Sequence, residues 1–232
     1  MTMQTRPSKT VPSQATHFNV RSDNIHVRWV MPEIFHDLPI KEEDEDEAVR
    51  LLDELAAKAL PGAADEDQLR FAVVCALGID DLLAAGAEYA GVCVAVVDEA
   101  PCTATVFASL VDGSGGDRAM DPVKAISADL RRADAGEVSE IQLPCGPAVS
   151  CIGTREDRIT GDLTGAETGS MLSTSFIRVY VPLPNGTTLM MEMATPTPAG
   201  WDTFSTMFGN IASSIRLFDV GGSALIIPGS GE

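Results

Sequence analysis

Residues 175–195, SFIRVYVPLPNGTTLMMEMAT, set the tightest limit on what this chain folds into. Two apolar runs flank Asn185-Gly186, the dipeptide of a type I′ hairpin turn. Pairing Pro184 with Thr187 sets Tyr180 opposite Met191 and Val181 opposite Met190. One face then carries Tyr180, Leu189, Met191 and Met193, and the other carries Val179, Val181, Leu183 and Met190. Both faces are mostly apolar, and such a sheet needs cover on both sides. The requirement is met by helices above and below, or by a helix layer opposite a partner protein.

The rest of the chain supplies the helices. In the acidic stretch 42–59, Ala48, Leu51, Leu52, Leu55 and Ala59 share one helical face, and the acids at its start suit the positive end of the helix dipole. Pro61-Gly62 ends it. A second helix is expected over 65–85, with Gly86 just beyond its end. Residues 121–133 read as a short helix, with Asp121 as cap and Pro122 at its first position. Trp201, Phe204, Phe208, Ile211 and Ile215 recur at spacings of three and four, a core-facing stripe on a further helix. Alternating patterns place strands at 25–30, 88–97, 102–111, 137–143 and 147–153.

Neighbouring strands come as hairpins. The expected class is therefore α/β (α+β): a mainly antiparallel sheet of about six to seven strands, flanked by helices on both faces. Residues 1–22 read as a disordered polar tail, 23–219 as a single domain, and 220–232 as a loose tail in which Ile226 and Ile227 dock locally.

The net charge of −18 disfavours nucleic acid and anionic lipid surfaces and favours solubility, basic protein partners or cations. No run reaches about 18 apolar residues, so no membrane insertion is expected. The first twenty residues hold neither a signal-type apolar stretch nor a lipobox cysteine. Five scattered cysteines fit a reducing compartment, so the expected location is cytoplasmic.

The stretch LPCGPAVSC, residues 143–151, resembles the start of a redox motif. Position 148 is alanine, so the second thiol of a Cys-x-x-Cys pair is missing. If Pro144–Pro147 forms a hairpin turn, Cys151 lies opposite Glu140, about 13 Å along the strand from Cys145. A disulfide needs Cα atoms within about 7 Å. Cys93 and Cys102 are separated in the same way when Val97 faces Cys102, and Cys75 reads as a small core residue. The histidines His17, His26 and His36 lack metal-ligand spacing, and the acids of 42–47 lack the spaced ligands and glycine of a calcium loop. The loop DGSGGD at 112–117 lacks the lysine of a phosphate-binding loop. His26 and His36 remain as the proton carriers of an unrecognised hydrolase, a reading that no further motif supports. No catalytic residue, metal site or cofactor is expected.

The run VSEIQLP, and then FIRVYVPLPNGTTLMMEMATPTPAGWDTFSTMFGNIASSIRLF with Met191–Thr195, Trp201, Phe208 and Ser214–Phe218, resembles the PsbP-like fold. The resemblance covers about residues 137–218, and the matching positions are core positions. That family includes a photosystem subunit and bacterial lipoproteins, usually non-catalytic. The Ala-, Gly- and Asp-rich style is similar to that of cytoplasmic actinobacterial proteins, some of them near specialised secretion loci. The resemblance implies a non-catalytic protein-interaction or assembly module, linked to a bacterial secretion or assembly system. Glu42, Glu43, Asp44, Glu45, Asp46 and Glu47 form its candidate surface for a basic partner. The alternative is a small-ligand-binding domain with a pocket between sheet and helices near Trp29, Tyr180 and Trp201.

Overall fold

The computed structural model describes residues 16–22, 24–112, 121–159 and 170–227. Most of the expected N-terminal tail and nearly all of the expected glycine-rich loop at 112–117 lie outside these residues.

Eleven strands form two sheets among the described residues. They are β1 (Thr16–Ser22), β2 (Ile25–Met31), β3 (His36–Asp37), β4 (Ala87–Val97), β5 (Ala100–Asp112), β6 (Glu137–Leu143), β7 (Gly146–Ile159), β8 (Ser170–Pro182), β9 (Thr187–Thr195), β10 (Arg216–Asp219) and β11 (Ala224–Leu225). The helices are α1 (Glu45–Ala59), α2 (Asp65–Ala84), α3 (Pro122–Arg132) and α4 (Trp201–Ser213). The large sheet has seven antiparallel strands in the order β3-β4-β5-β9-β8-β7-β6. The fold is a mixed α/β fold, with this sheet flanked by helices on both faces.

The first face of the large sheet builds the main core. Ala104 and Val106 of β5, Val179 and Val181 of β8, and Leu189, Met191 and Met193 of β9 meet Phe204, Phe208 and Ile211 of α4. A four-stranded sheet, β1-β2-β10-β11, closes the same core with Val27, Trp29 and Leu217. That second sheet was not foreseen. Its strand β1 occupies residues expected in the tail, and β10 continues the chain where the helical stripe was extended to Ile215. At the far end, β11 pairs with β10, and the Ile227 N–H donates to the Cys145 carbonyl at 3.0 Å.

The second face is covered in two places. Over β4, α1 and α2 pack Leu52, Leu55, Ala56, Ala59, Ala72 and Cys75 against Ala90 and Val92. Over β6, β7 and β8 lies α3, whose Leu130 packs with Cys151 and Phe176. Both α1 and α3 are capped by an aspartate, α3 by the Asp121 that its sequence suggests. The Asp44 carboxylate accepts from the Glu47 N–H at 3.0 Å, and Asp121 accepts from Val123 N–H at 3.0 Å. α1 thus starts at Glu45 rather than at residue 42.

Three hairpin registers differ from the sequence expectation. Across β8–β9, Tyr180 faces Met190 and Val181 faces Leu189. The Leu183 N–H donates to the Thr187 carbonyl at 2.8 Å, and the Gly186 N–H donates to the Leu183 carbonyl at 3.0 Å. Gly186 is left-handed, at φ +90°. The loop therefore holds Pro184, Asn185 and Gly186 in the three-residue geometry of a turn followed by a glycine bulge, not the two-residue type I′ form. One extra loop residue moves every pairing by one and exchanges the faces of one strand relative to the other. Across β6–β7, Leu143 faces Gly146, so Cys151 lies opposite Val138 instead of Glu140.

Primed-turn geometry occurs instead between β4 and β5. Val97 faces Ala100 rather than Cys102, so Cys102 lies opposite Ala95, two residues along from Cys93, and the intervening Asp98 and Glu99 hold φ of 49° and 66°. A non-glycine residue in this region costs about 1 kcal/mol. Glu99→Gly is expected to stabilise the protein by about 0.5 kcal/mol after the added chain entropy of the unfolded state. Urea denaturation of the two proteins checks this, and a lower midpoint for the variant would contradict the turn assignment.

Candidate functional site

Between its two helical covers, the second face of the large sheet is left open beneath α2. The gap is a cavity of about 680 Å³. Its floor comes from Thr103, Thr105 and Phe107 of β5, Glu192 of β9, Arg178 of β8 and Arg155 of β7. Its roof is the inner side of α2, with Phe71, Val74, Cys75, Gly78 and Leu82.

The roof buries few of its side chains, and Phe71 and Leu82 reach the core beneath it only in part. Of α2's residues only Ala72 and Cys75 are buried, whereas α1 buries Leu52, Leu55, Ala56 and Ala59. Gly78 sits mid-helix, where glycine costs about 1 kcal/mol relative to alanine. A Cβ at this position would meet nothing within 4 Å. Packing does not require the glycine; its missing side chain leaves room in the cavity.

The polar part of the floor follows from the observed register. Glu192 lies across from Arg178 on β8 and across from Phe107 on β5. Arg155 Nη1 donates to Glu192 Oε1 at 2.5 Å, and Arg178 Nε donates to Glu192 Oε2. The Glu192 side chain is 1% exposed, those of Arg155 and Arg178 37% and 29%. The Phe176 ring lies 4.6 Å from the Arg178 guanidinium carbon and 5.8 Å from that of Arg155. Burial works against the charge of Arg178, yet the Glu192 carboxylate holds its pKa above the ordinary value. Burial pushes the Cys75 thiol up to about 11, so at neutral pH it is a protonated wall residue and not a nucleophile.

The residues singled out from sequence fall elsewhere. Glu42, Glu43, Asp44, Glu45 and Asp46 are exposed around the start of α1. Glu47 is half-buried and bonds Arg50 with both carboxylate oxygens, which lowers its pKa. Trp29 is buried in the main core, edge-on to Tyr89 with ring centroids 5.6 Å apart. Trp201 opens α4 beside that core. Tyr180 points to the opposite face, among the residues under α3. The sheet separates Tyr180 from Trp29, so the structure does not bring these three together around one pocket. His26 lies on β2 opposite Phe218 and Arg21, and His36 faces Val92 on β3 with its pKa lowered by burial. All five cysteines are buried and free. Among the described residues, no three His, Cys, Asp or Glu side chains are grouped to hold a metal ion, and no helix is long and apolar enough to cross a membrane.

Sequence reasoning passed over Arg155, Arg178, Glu192 and Gly78. The available signals were Arg178 and Glu192, two opposite charges inside apolar strands, and a glycine within a helical pattern. With the register displaced by one residue, Arg178 and Glu192 no longer face each other, and the pair was hidden.

No protein-family model matches the chain, and no curated protein matches its sequence. Among solved structures, the Ran-binding protein Mog1p of Saccharomyces cerevisiae is similar over 87% of this chain and 95% of its own, with 10% identity and a TM-score of 0.37. A mutant form of protein Mog1 is similar over 90% of this chain and 98% of its own, with 11% identity and a TM-score of 0.39. This corrects the PsbP-like assignment, since these two structural neighbours are both Mog1. The bacterial ascription falls with it, since the first of these structures comes from yeast. At these values the likeness carries no argument about what this chain does or binds.

Removing one partner from a buried ion cluster leaves the others desolvated, at a cost of about 3 kcal/mol. Glu192→Gln is expected to lose about this much, at the low end of the range because both arginines keep contact with water. Chemical denaturation measures it. A loss below about 0.5 kcal/mol, the level of an ordinary surface change, would show that the cluster is not a structural element.

Proposed function

We propose that this chain is a non-catalytic binding module whose guest occupies the cavity between α2 and the seven-stranded sheet. The carrying observation is the cavity itself. Its volume of about 680 Å³ lies within the range of roughly 300–1,000 Å³ typical of small-molecule sites, and its walls are mostly apolar. A few polar groups stand at one side, as they do where a site fixes the orientation of its ligand. Gly78 supports the reading, because a glycine that weakens a helix where a Cβ would meet nothing is accounted for by the space it leaves.

The test is uptake of an uncharged solvatochromic dye, Nile red, by the full chain and by Gly78→Leu. The leucine projects into the cavity and improves helix propensity by several tenths of a kcal/mol, so the variant is expected to fold with an undiminished melting temperature. The native protein is expected to shift the dye's emission to the blue, and the variant to lose most of that shift. Equal uptake by both folded proteins would refute the cavity as the binding site.

A further inference from the structure

We propose that the guest is an amphipathic monoanion, with its carboxylate at the Arg155–Arg178 end of the cavity and its apolar body along the inner side of α2. The inference deepens the binding function proposed above and rests on it.

The argument begins with what lies beneath the open floor. Glu192 is wholly buried, and its two oxygens are engaged by two different guanidiniums. A guanidinium carries five N–H donors, and Arg178 shares its own between Glu192, through Nε, and Tyr180. The Phe176 ring under Arg178 supports the guanidinium by a cation–π contact and restricts how it turns. The site therefore presents positive groups held in place before a ligand arrives, at the edge of an apolar space.

The two arginines keep part of their hydration in the open cavity. An uncharged apolar guest would remove that water and return nothing, which is costly for a cation. A guest with a carboxylate head would replace the water with charge-assisted hydrogen bonds, which are about twice as strong as neutral ones. A cationic head would meet the guanidiniums and not the carboxylate, since Glu192 lies buried beneath them. Neighbouring charges are consistent with this ranking. Arg70, at the roof, is already tied to Glu66 and Asp67. Asp81 is exposed on α2 and opposes an anion only across water, where its field is screened. Cys75 is protonated, so capture of the guest is non-covalent.

The experiment compares octanoate, octanol and octylamine on the full chain by calorimetry and thermal shift. Octanoate is expected to bind at least tenfold more tightly than octanol, and octylamine more weakly than either. Arg178→Gln is expected to remove the advantage of octanoate while leaving octanol binding in place. Should that variant fail to fold, Asp81→Asn provides a surface alternative, expected to tighten octanoate about two- to threefold and leave octanol unchanged. Equal affinity for the three compounds, or a preference for octylamine, would overturn the anion assignment and leave the binding cavity standing. Loss of octanol binding along with octanoate in a folded Arg178→Gln would also overturn it. No binding of any compound, together with no difference between the native chain and Gly78→Leu in Nile red uptake, would overturn both.

Discussion

The pairing of β8 with β9 governs the rest of the molecule. It lies in the middle of the seven-stranded sheet, with strands added on both flanks. It also decides which side chains reach which layer. With Val179 facing Met191 and Val181 facing Leu189, the main core receives an unbroken apolar surface. With Arg178 facing Glu192, the opposite layer receives a salt bridge instead. Both outcomes follow from one loop, in which Gly186 adopts the left-handed conformation and admits a third residue. The same few atoms of turn geometry therefore set the core and the polar floor of the cavity.

Elements defined by local pattern were legible in the sequence. The apolar stripe that begins at Trp201, the cap Asp121, and the two-sided apolar hairpin each lead to an observed element and to the sheet covered on both faces. What was not legible depended on pairing. Asn185-Gly186 carries a strong signal for a two-residue turn, but Pro184 joins the loop and the turn closes one residue wider. Conversely, Asp98-Glu99 gave no comparable signal, and the tight turn there is held by the long β4–β5 ladder around it. The small sheet was missed because β10 and β11 have four and two residues, too few to show alternation. The cavity was missed for a related reason. Its acid and bases lie far apart in sequence, at 155, 178 and 192, and become neighbours only in the correct register.

The two faces of the large sheet also differ in how they are closed. On the first, aromatic and branched side chains of α4 fill the space against Met191 and Met193. On the second, Ala72 and Cys75 hold α2 near Ala90 and Val92, and neither is long enough to bring the helix down onto β9 or β8. Leu69, Val73 and Leu77 are left on the outer side of α2, at 59%, 47% and 53% exposure. With these residues outside, and Phe71, Ile79 and Leu82 only partly buried inside, α2 gains less from burial than α1 does, and its main neighbour is α1 beside it.

This arrangement separates two free energies that coincide in a tightly packed domain. Lifting α2 breaks no hydrogen bond of the large sheet and uncovers only two buried residues of its own. Local opening draws on the weakest-held parts of a structure, well below the cost of global unfolding. Raising the roof would therefore cost less than unfolding the frame beneath it. Entry to an interior site would then be timed by a single helix, and changes that stiffen the main core would leave that clock untouched.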